Sequence, residues 1–171
     1  MEDDKLAIEY EDFRIIDETS KYILGHLWEQ AYLYKKNENS EILLCEFYGE
    51  CDAGKINDED DWCIVGSNII AIWTNADITI IDNDNLKWVH DMRLKNRNTV
   101  EILTDPWGDN SAIWELNISS MEFKMISTFD KYKENPYIDK VEASIYSNIA
   151  NLAVLKSKYL TRWTSSFFKE A

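Results

Sequence analysis

The chain has 171 residues, of which 45% are hydrophobic and 29% are charged, with only five glycines and two prolines. This length and composition are typical of one globular domain with its own core, and they exclude a disordered chain. Acidic residues outnumber basic residues by 32 to 18, a net charge of -14, which argues against nucleic-acid binding because phosphates are held by basic surfaces.

The first residues, MEDDKLAIEYEDF, are acidic and lack the basic and apolar regions of a secretory signal. No apolar run approaches the roughly 18 residues that a membrane span needs. Cys45, Cys51 and Cys63 match neither C-x-x-C nor a zinc pattern, which favours reduced thiols. We therefore expect a cytoplasmic protein with no membrane segment and no cofactor. Within residues 1–25, LAIEYEDFRIID is compatible with either a strand or a short helix.

Short strands separated by turn residues dominate residues 27–130. The runs LWEQAYLYKK and EILLCEFYGE flank NENS, which predicts a hairpin with its loop at 37–40. WCIVG, NIIAIW and DITIID follow, and then NLKWVHDMRL, which alternates apolar and charged residues. TVEIL, SAIWEL and SMEFKMIST complete the series after a tight turn at DPWGDNS. The pattern predicts a twisted, mostly antiparallel sheet of about seven to nine strands. The tryptophans expected in its core are Trp62, Trp73, Trp88, Trp114 and Trp163.

The last part of the chain has a different periodicity. Beyond Pro136, apolar residues recur every three or four positions, which predicts a long helix over residues 137–168 that packs on the sheet. The expected fold class is therefore α+β, in a single domain over residues 1–171. The tripeptide AIW occurs at 71–73 and again at 112–114, a spacing of 41 residues that is close to a propeller repeat. Four such blades would leave no residues for the helix, so we expect a curved sheet instead of a propeller.

The sequence contains no motif typical of a catalytic or metal site. His26 has no nucleophile beside it, and His90 lies next to Asp91, whose side chain would point to the opposite face of the strand. Asp82 and Asp84 imitate the start of a calcium loop, but the glycine and the final glutamate of such a loop are missing. Carboxylate pairs of the glycosidase type can arise among 32 acids without any motif. We expect no catalytic residue, no bound metal and no enzymatic activity.

The acidity is concentrated in one part of the chain. Residues 1–70 hold 18 acids and 6 bases, a net charge of -12, whereas residues 71–171 hold 14 acids and 12 bases, a net charge of -2. Residues 46–61 hold seven acids and one base, a net charge of -6. Such a segment either keeps the protein soluble or steers a basic partner towards it. Trp107, in the DPWGDN turn, is expected to be an exposed hot spot. The expected partner-binding residues are Glu46, Glu50, Asp52, Asp58, Glu59, Asp60, Asp61, Asp105, Trp107 and Asp109.

The acidic run ECDAGKINDEDDW, the tryptophan-rich strands, the single-domain length and the lack of catalytic motifs resemble the immunity proteins of bacterial contact-dependent inhibition and related polymorphic toxin systems. Those proteins are small cytosolic domains, often acidic, that neutralise one toxin, commonly a basic nuclease. The resemblance implies a protein that binds a basic toxin and occludes its active site, with neither nucleic acid nor membrane as a partner. A protein-binding or scaffold module whose acidity serves solubility is the alternative.

Overall fold

The computed structural model describes residues 5–75 and 77–133. They form twelve antiparallel strands in three four-stranded sheets, and the strands of each sheet pair in their order along the chain. Sheet 1 contains β1 (Arg14–Glu18), β2 (Tyr22–Leu27), β3 (Gln30–Lys35) and β4 (Ser40–Glu46). Sheet 2 contains β5 (Ala53–Ile56), β6 (Trp62–Gly66), β7 (Ile70–Thr74) and β8 (Asp77–Ile81). Sheet 3 contains β9 (Val89–Asn96), β10 (Thr99–Thr104), β11 (Ala112–Asn117) and β12 (Phe123–Thr128). Short 3-10 helices lie at Ala7–Glu9 and Asp84–Leu86.

The predicted α+β class is wrong. The described residues form three sheets instead of one and twelve strands instead of seven to nine, and they contain no helix of seven residues or more. Turn counting locates strands but does not show which strands pair, so it could not divide the meander into separate sheets. The helix predicted over 137–168 lies outside the described residues. The single domain over 1–171 stays a prediction, and all twelve strands belong to one compact unit, residues 1–135.

In sheet 2, strands β5 to β7 are buried on both faces because their side chains alternate between two hydrophobic clusters, whereas the edge strand β8 is largely exposed. In β6, Cys63 and Val65 pack in the cluster shared with sheet 1, whereas Trp62 and Ile64 pack in the cluster shared with sheet 3. A strand that is buried on both faces reads as a continuous apolar run, which explains WCIVG and IIAIW. The first strands of the sheets also meet, since β5 contacts both β1 and β9.

The AIW repeat corresponds to a repeated structural unit. The predicted C-terminal helix had led us to expect one curved sheet without such a repeat. Its two copies lie in β7 and β11, the third strands of sheets 2 and 3. Trp73 packs in the cluster between sheets 1 and 2, and Trp114 packs against the cluster between sheets 2 and 3, so each ring faces the preceding sheet. Tyr32 holds the matching place in β3, 41 residues before Trp73. Four-stranded meanders that repeat along the chain are the building units of β-propellers, and the described residues contain three such blade-like sheets.

Candidate protein-binding surface

Hydrogen bonds join the loops at one end of the three sheets. Within sheet 1, the amide of Phe47 donates to the carbonyl of Glu29 at 2.8 Å. Bonds from one sheet to the next run from Ser67 Oγ to the Glu50 carbonyl and from the Val89 amide to the Ser67 carbonyl, and the Asp105 amide donates to the Trp88 carbonyl within sheet 3. We call this region the aromatic end; it comprises the connections 28–29, 47–52, 67–69, 82–88 and 105–111.

Three large aromatic side chains are exposed at the aromatic end. The exposed fractions are 60% for Trp28, 78% for Tyr48 and 53% for Trp88. Trp28 and Trp88 also adopt left-handed backbone conformations, with φ of 54° and 59°, which cost a bulky residue about 1–2 kcal/mol. The amide of Tyr48 donates to Asn68 Oδ1 at 2.8 Å and so ties its connection to sheet 2. Exposed rings contribute little to the core, and two of the three lie on a strained backbone, which points to a role in binding.

Carboxylates surround Trp28. Glu29, Glu46 and Glu50 line a cleft beside the indole ring. None of the three forms an ion pair with a cation of residues 5–75 or 77–133. Their negative charge is therefore available to a cation from another molecule.

His26 connects the Trp28 turn to the predicted residue Asp52. Its side chain is 2% exposed, with Nδ1 2.9 Å from the Trp28 carbonyl oxygen and Nε2 3.2 Å from Asp52 Oδ1. Both partners can only accept when Asp52 is ionised, so both contacts are hydrogen bonds when the ring is protonated at each nitrogen. The hydrogen bond to Asp52 raises the pKa of His26 above its ordinary value of 6.5, although burial opposes this effect. The His26 ring thus links the backbone of the Trp28 turn to Asp52.

The predicted acids 58–61 lie in the β5–β6 loop, at the opposite end of the sheets. Arg97, in the β9–β10 loop, pairs with Glu59 and, at 3.4 Å, with Asp61. Lys21, in the β1–β2 loop, lies 3.4 Å from Asp60, whose side chain is only 8% exposed. These contacts tie the three sheets together at this end. Three of the four consecutive acids are therefore paired with cations of the same chain, two cations against three carboxylates.

The structure divides the predicted partner-binding residues between the two ends. Asp58 is exposed in the β5–β6 loop and has no ion pair within the described part of the chain. It lies there with Glu59, Asp60 and Asp61. The members at the aromatic end are Glu46, Glu50, Asp52, Asp105, Trp107 and Asp109.

Trp107 packs inside its turn and does not project from it. Its ring meets His90 edge to face at 5.1 Å and stacks on Tyr132 at 5.6 Å, so the expectation of an exposed ring is wrong. Asp105 begins the turn with φ of 39°, and Asp109 is exposed beyond it. Burial lowers the pKa of His90, although the charge of a nearby carboxylate opposes this effect. The turn contributes acids to the aromatic end, and its tryptophan is structural.

Sequence reasoning missed the exposed aromatic residues. Trp88 was assigned to the core because NLKWVHDMRL alternates, but β9 begins at Val89 and Trp88 lies in the preceding connection. Trp28 and Glu29 form a two-residue connection between the paired strands β2 and β3. That connection contains none of the glycine, asparagine or aspartate residues that usually mark such turns, so the sequence carried no turn signal there.

No family model matches the chain, and no curated protein shows significant similarity to it. Within the described residues, no three His, Cys, Asp or Glu side chains are grouped to hold a metal ion. No helix of the described segments is long and apolar enough to cross a bilayer. The exposed rings and carboxylates of the aromatic end form a surface that combines apolar area with negative charge.

Proposed function

We propose that this chain is a cytoplasmic immunity protein that binds and neutralises a basic bacterial toxin through its aromatic end. The observation that carries the proposal is the exposure of three large rings, Trp28, Tyr48 and Trp88, at the end of the sheets where three carboxylates line a cleft without an ion pair in the described part of the chain. Tryptophan and tyrosine are enriched at the centres of interfaces. Carboxylates around them accelerate encounter with a positively charged partner.

Inhibition would proceed by occlusion. A nuclease holds RNA phosphates with lysine and arginine side chains, and the carboxylates of Glu46 and Glu50 compete for the same cations. The rings of Trp28 and Tyr48 then cover the neighbouring apolar surface and exclude substrate. The inhibitor itself performs no chemistry in this scheme. Its net charge of -14 disfavours direct contact with nucleic acid.

The test is protection of cells that produce the toxin encoded in the neighbouring reading frame. We expect growth to be rescued by the wild-type protein and by Asp58→Asn, which removes one exposed charge at the opposite end. Rescue should be lost with the double substitution Trp28→Ala and Tyr48→Ala, and weakened with Glu46→Gln and Glu50→Gln. Each variant is first shown to fold by its circular dichroism and melting temperature. Full rescue by both aromatic-end variants would refute the proposed surface.

A non-catalytic binding or scaffold module whose acidity serves solubility is the second candidate. The ion pairs of the β5–β6 loop favour this candidate, because acids that are paired within the fold are less available to a partner. These pairs join Arg97 to Glu59 and Asp61, and Lys21 to Asp60. Ionic strength separates the two candidates. Steering of a basic toxin predicts an association rate that falls steeply with salt, whereas a solubility charge predicts a partner affinity that barely changes.

A further inference from the structure

The cleft beside Trp28 has a volume of about 640 Å³ and a mixed lining. Its floor is apolar, since Leu27 and Phe47 are each 5% exposed. The exposed Trp28 and three glutamates also line the cleft. A site with an apolar floor, one aromatic face and several anions suits an organic cation better than a metal ion, because a metal ion prefers a ring of oxygen ligands.

A chain of hydrogen bonds positions the carboxylate of Glu46. The hydroxyl of Tyr32 donates to Gln30 Oε1 at 2.7 Å, and Gln30 Nε2 donates to Glu46 Oε1 at 2.5 Å. These neutral donors orient the carboxylate and leave its charge intact. At the opposite end, by contrast, Arg97 neutralises Glu59. The cleft thus holds an oriented anion beside an aromatic face.

We propose that this cleft binds one arginine side chain of the basic partner. Its guanidinium group would stack on the indole of Trp28 and donate hydrogen bonds to Glu46 and Glu50. Arginine suits the site better than lysine because its planar, delocalised cation stacks on aromatic faces and donates in two parallel directions. This inference rests on the proposed function, since it names the partner group that the aromatic end recognises.

The test uses N-acetyl-arginine methylamide as the probe and the full-length protein, with binding followed by NMR at the indole N–H of Trp28. We expect saturable shifts at Trp28 and at the amides of 46–50. The matching lysine derivative should bind several-fold more weakly, and the norleucine derivative should not bind. Glu46→Gln should weaken binding about tenfold, as expected for the loss of one charge-assisted hydrogen bond. Asp58→Asn changes the net charge equally and should leave binding within about twofold.

The inference would be overturned if the arginine derivative left Trp28 unshifted, if norleucine bound as well as arginine, or if Asp58→Asn weakened binding as much as Glu46→Gln. If rescue from the toxin requires the aromatic end but the arginine derivative does not bind, the cleft is not an arginine site, and the proposed function stands. If the arginine derivative binds but rescue does not require Trp28, the cleft is a cation site. That second result would reject its use against the toxin.

Discussion

The stability cost of the substitution His26→Gln should depend on pH in a defined direction. The folded protein binds a proton at His26 more tightly than the unfolded chain does, because Asp52 raises the pKa of the ring above 6.5. The contribution of this proton to stability is complete below 6.5 and is lost as the pH rises through the folded-state pKa. Glutamine stays neutral and removes this dependence.

The expected size follows from the two hydrogen bonds of the ring. A hydrogen bond to a charged group contributes about 1.5–3 kcal/mol, but the Asp52 side chain is 78% exposed and water replaces part of that bond. The Trp28 carbonyl faces a ring that is only 2% exposed, so its lost partner is replaced less easily. We expect His26→Gln to lower the free energy of unfolding by about 2 kcal/mol near pH 6 and by about half as much near pH 9.

The assay is urea unfolding at a series of pH values, followed by tryptophan fluorescence, with wild type and variant compared at each pH. His90→Gln is the matched control, because burial lowers the pKa of His90 and its effect has the opposite sign. The stability that neutral His90 provides is lost as the pH falls below 6.5. The difference in free energy of unfolding between His90→Gln and wild type should therefore grow as the pH rises. A His26→Gln difference that stays constant from about pH 6 to about pH 9 would refute a raised pKa for His26 in the folded protein.

Three further outcomes follow from the fold. Ile72→Ala, in the core between sheets 2 and 3, should lower the free energy of unfolding by about 2–5 kcal/mol, whereas Ile80→Ala, at a position 46% exposed, should cost well under half as much, as measured by chemical denaturation; equal losses would contradict burial of Ile72 in that core. Arg97→Gln should cost only about 0.5–1.5 kcal/mol, since its side chain is 61% exposed, and should leave rescue from the toxin intact. Burial raises the pKa of Cys51 to about 12 and raises that of Cys63 still further, so mass spectrometry should find both thiols unmodified by iodoacetamide until the protein unfolds; rapid alkylation of the folded protein would show that these sites open.

Strand positions could be read from the sequence, but sheet membership could not. WCIVG and NIIAIW were correctly assigned to strands because β-branched residues lie between turn signals. Their continuous apolar character also indicated burial on both faces, which requires a packed layer on each side. The one-sheet interpretation overlooked this, and it set aside the AIW repeat because a helix was expected to occupy the remaining residues.

The candidate site was only partly predictable for a related reason. Composition located the acids, yet the hydrogen-bonding partners that decide their availability come from loops of other sheets. Arg97 lies 36 residues beyond Asp61, and no local pattern reveals that these side chains meet. The exposed position of Trp28 depends on a turn without turn-forming residues, so sequence periodicity assigned it to a strand.

Hydrogen exchange of the toxin complex, compared with the free protein, tests the proposed surface most directly. We predict slower exchange at amides 28–30 and 47–52, around the cleft and Tyr48, with residues 57–61 and 97–98 unchanged. Protection confined to residues 57–61 and 97–98 would contradict the account, because the partner would then bind where the fold already pairs acids with its own cations.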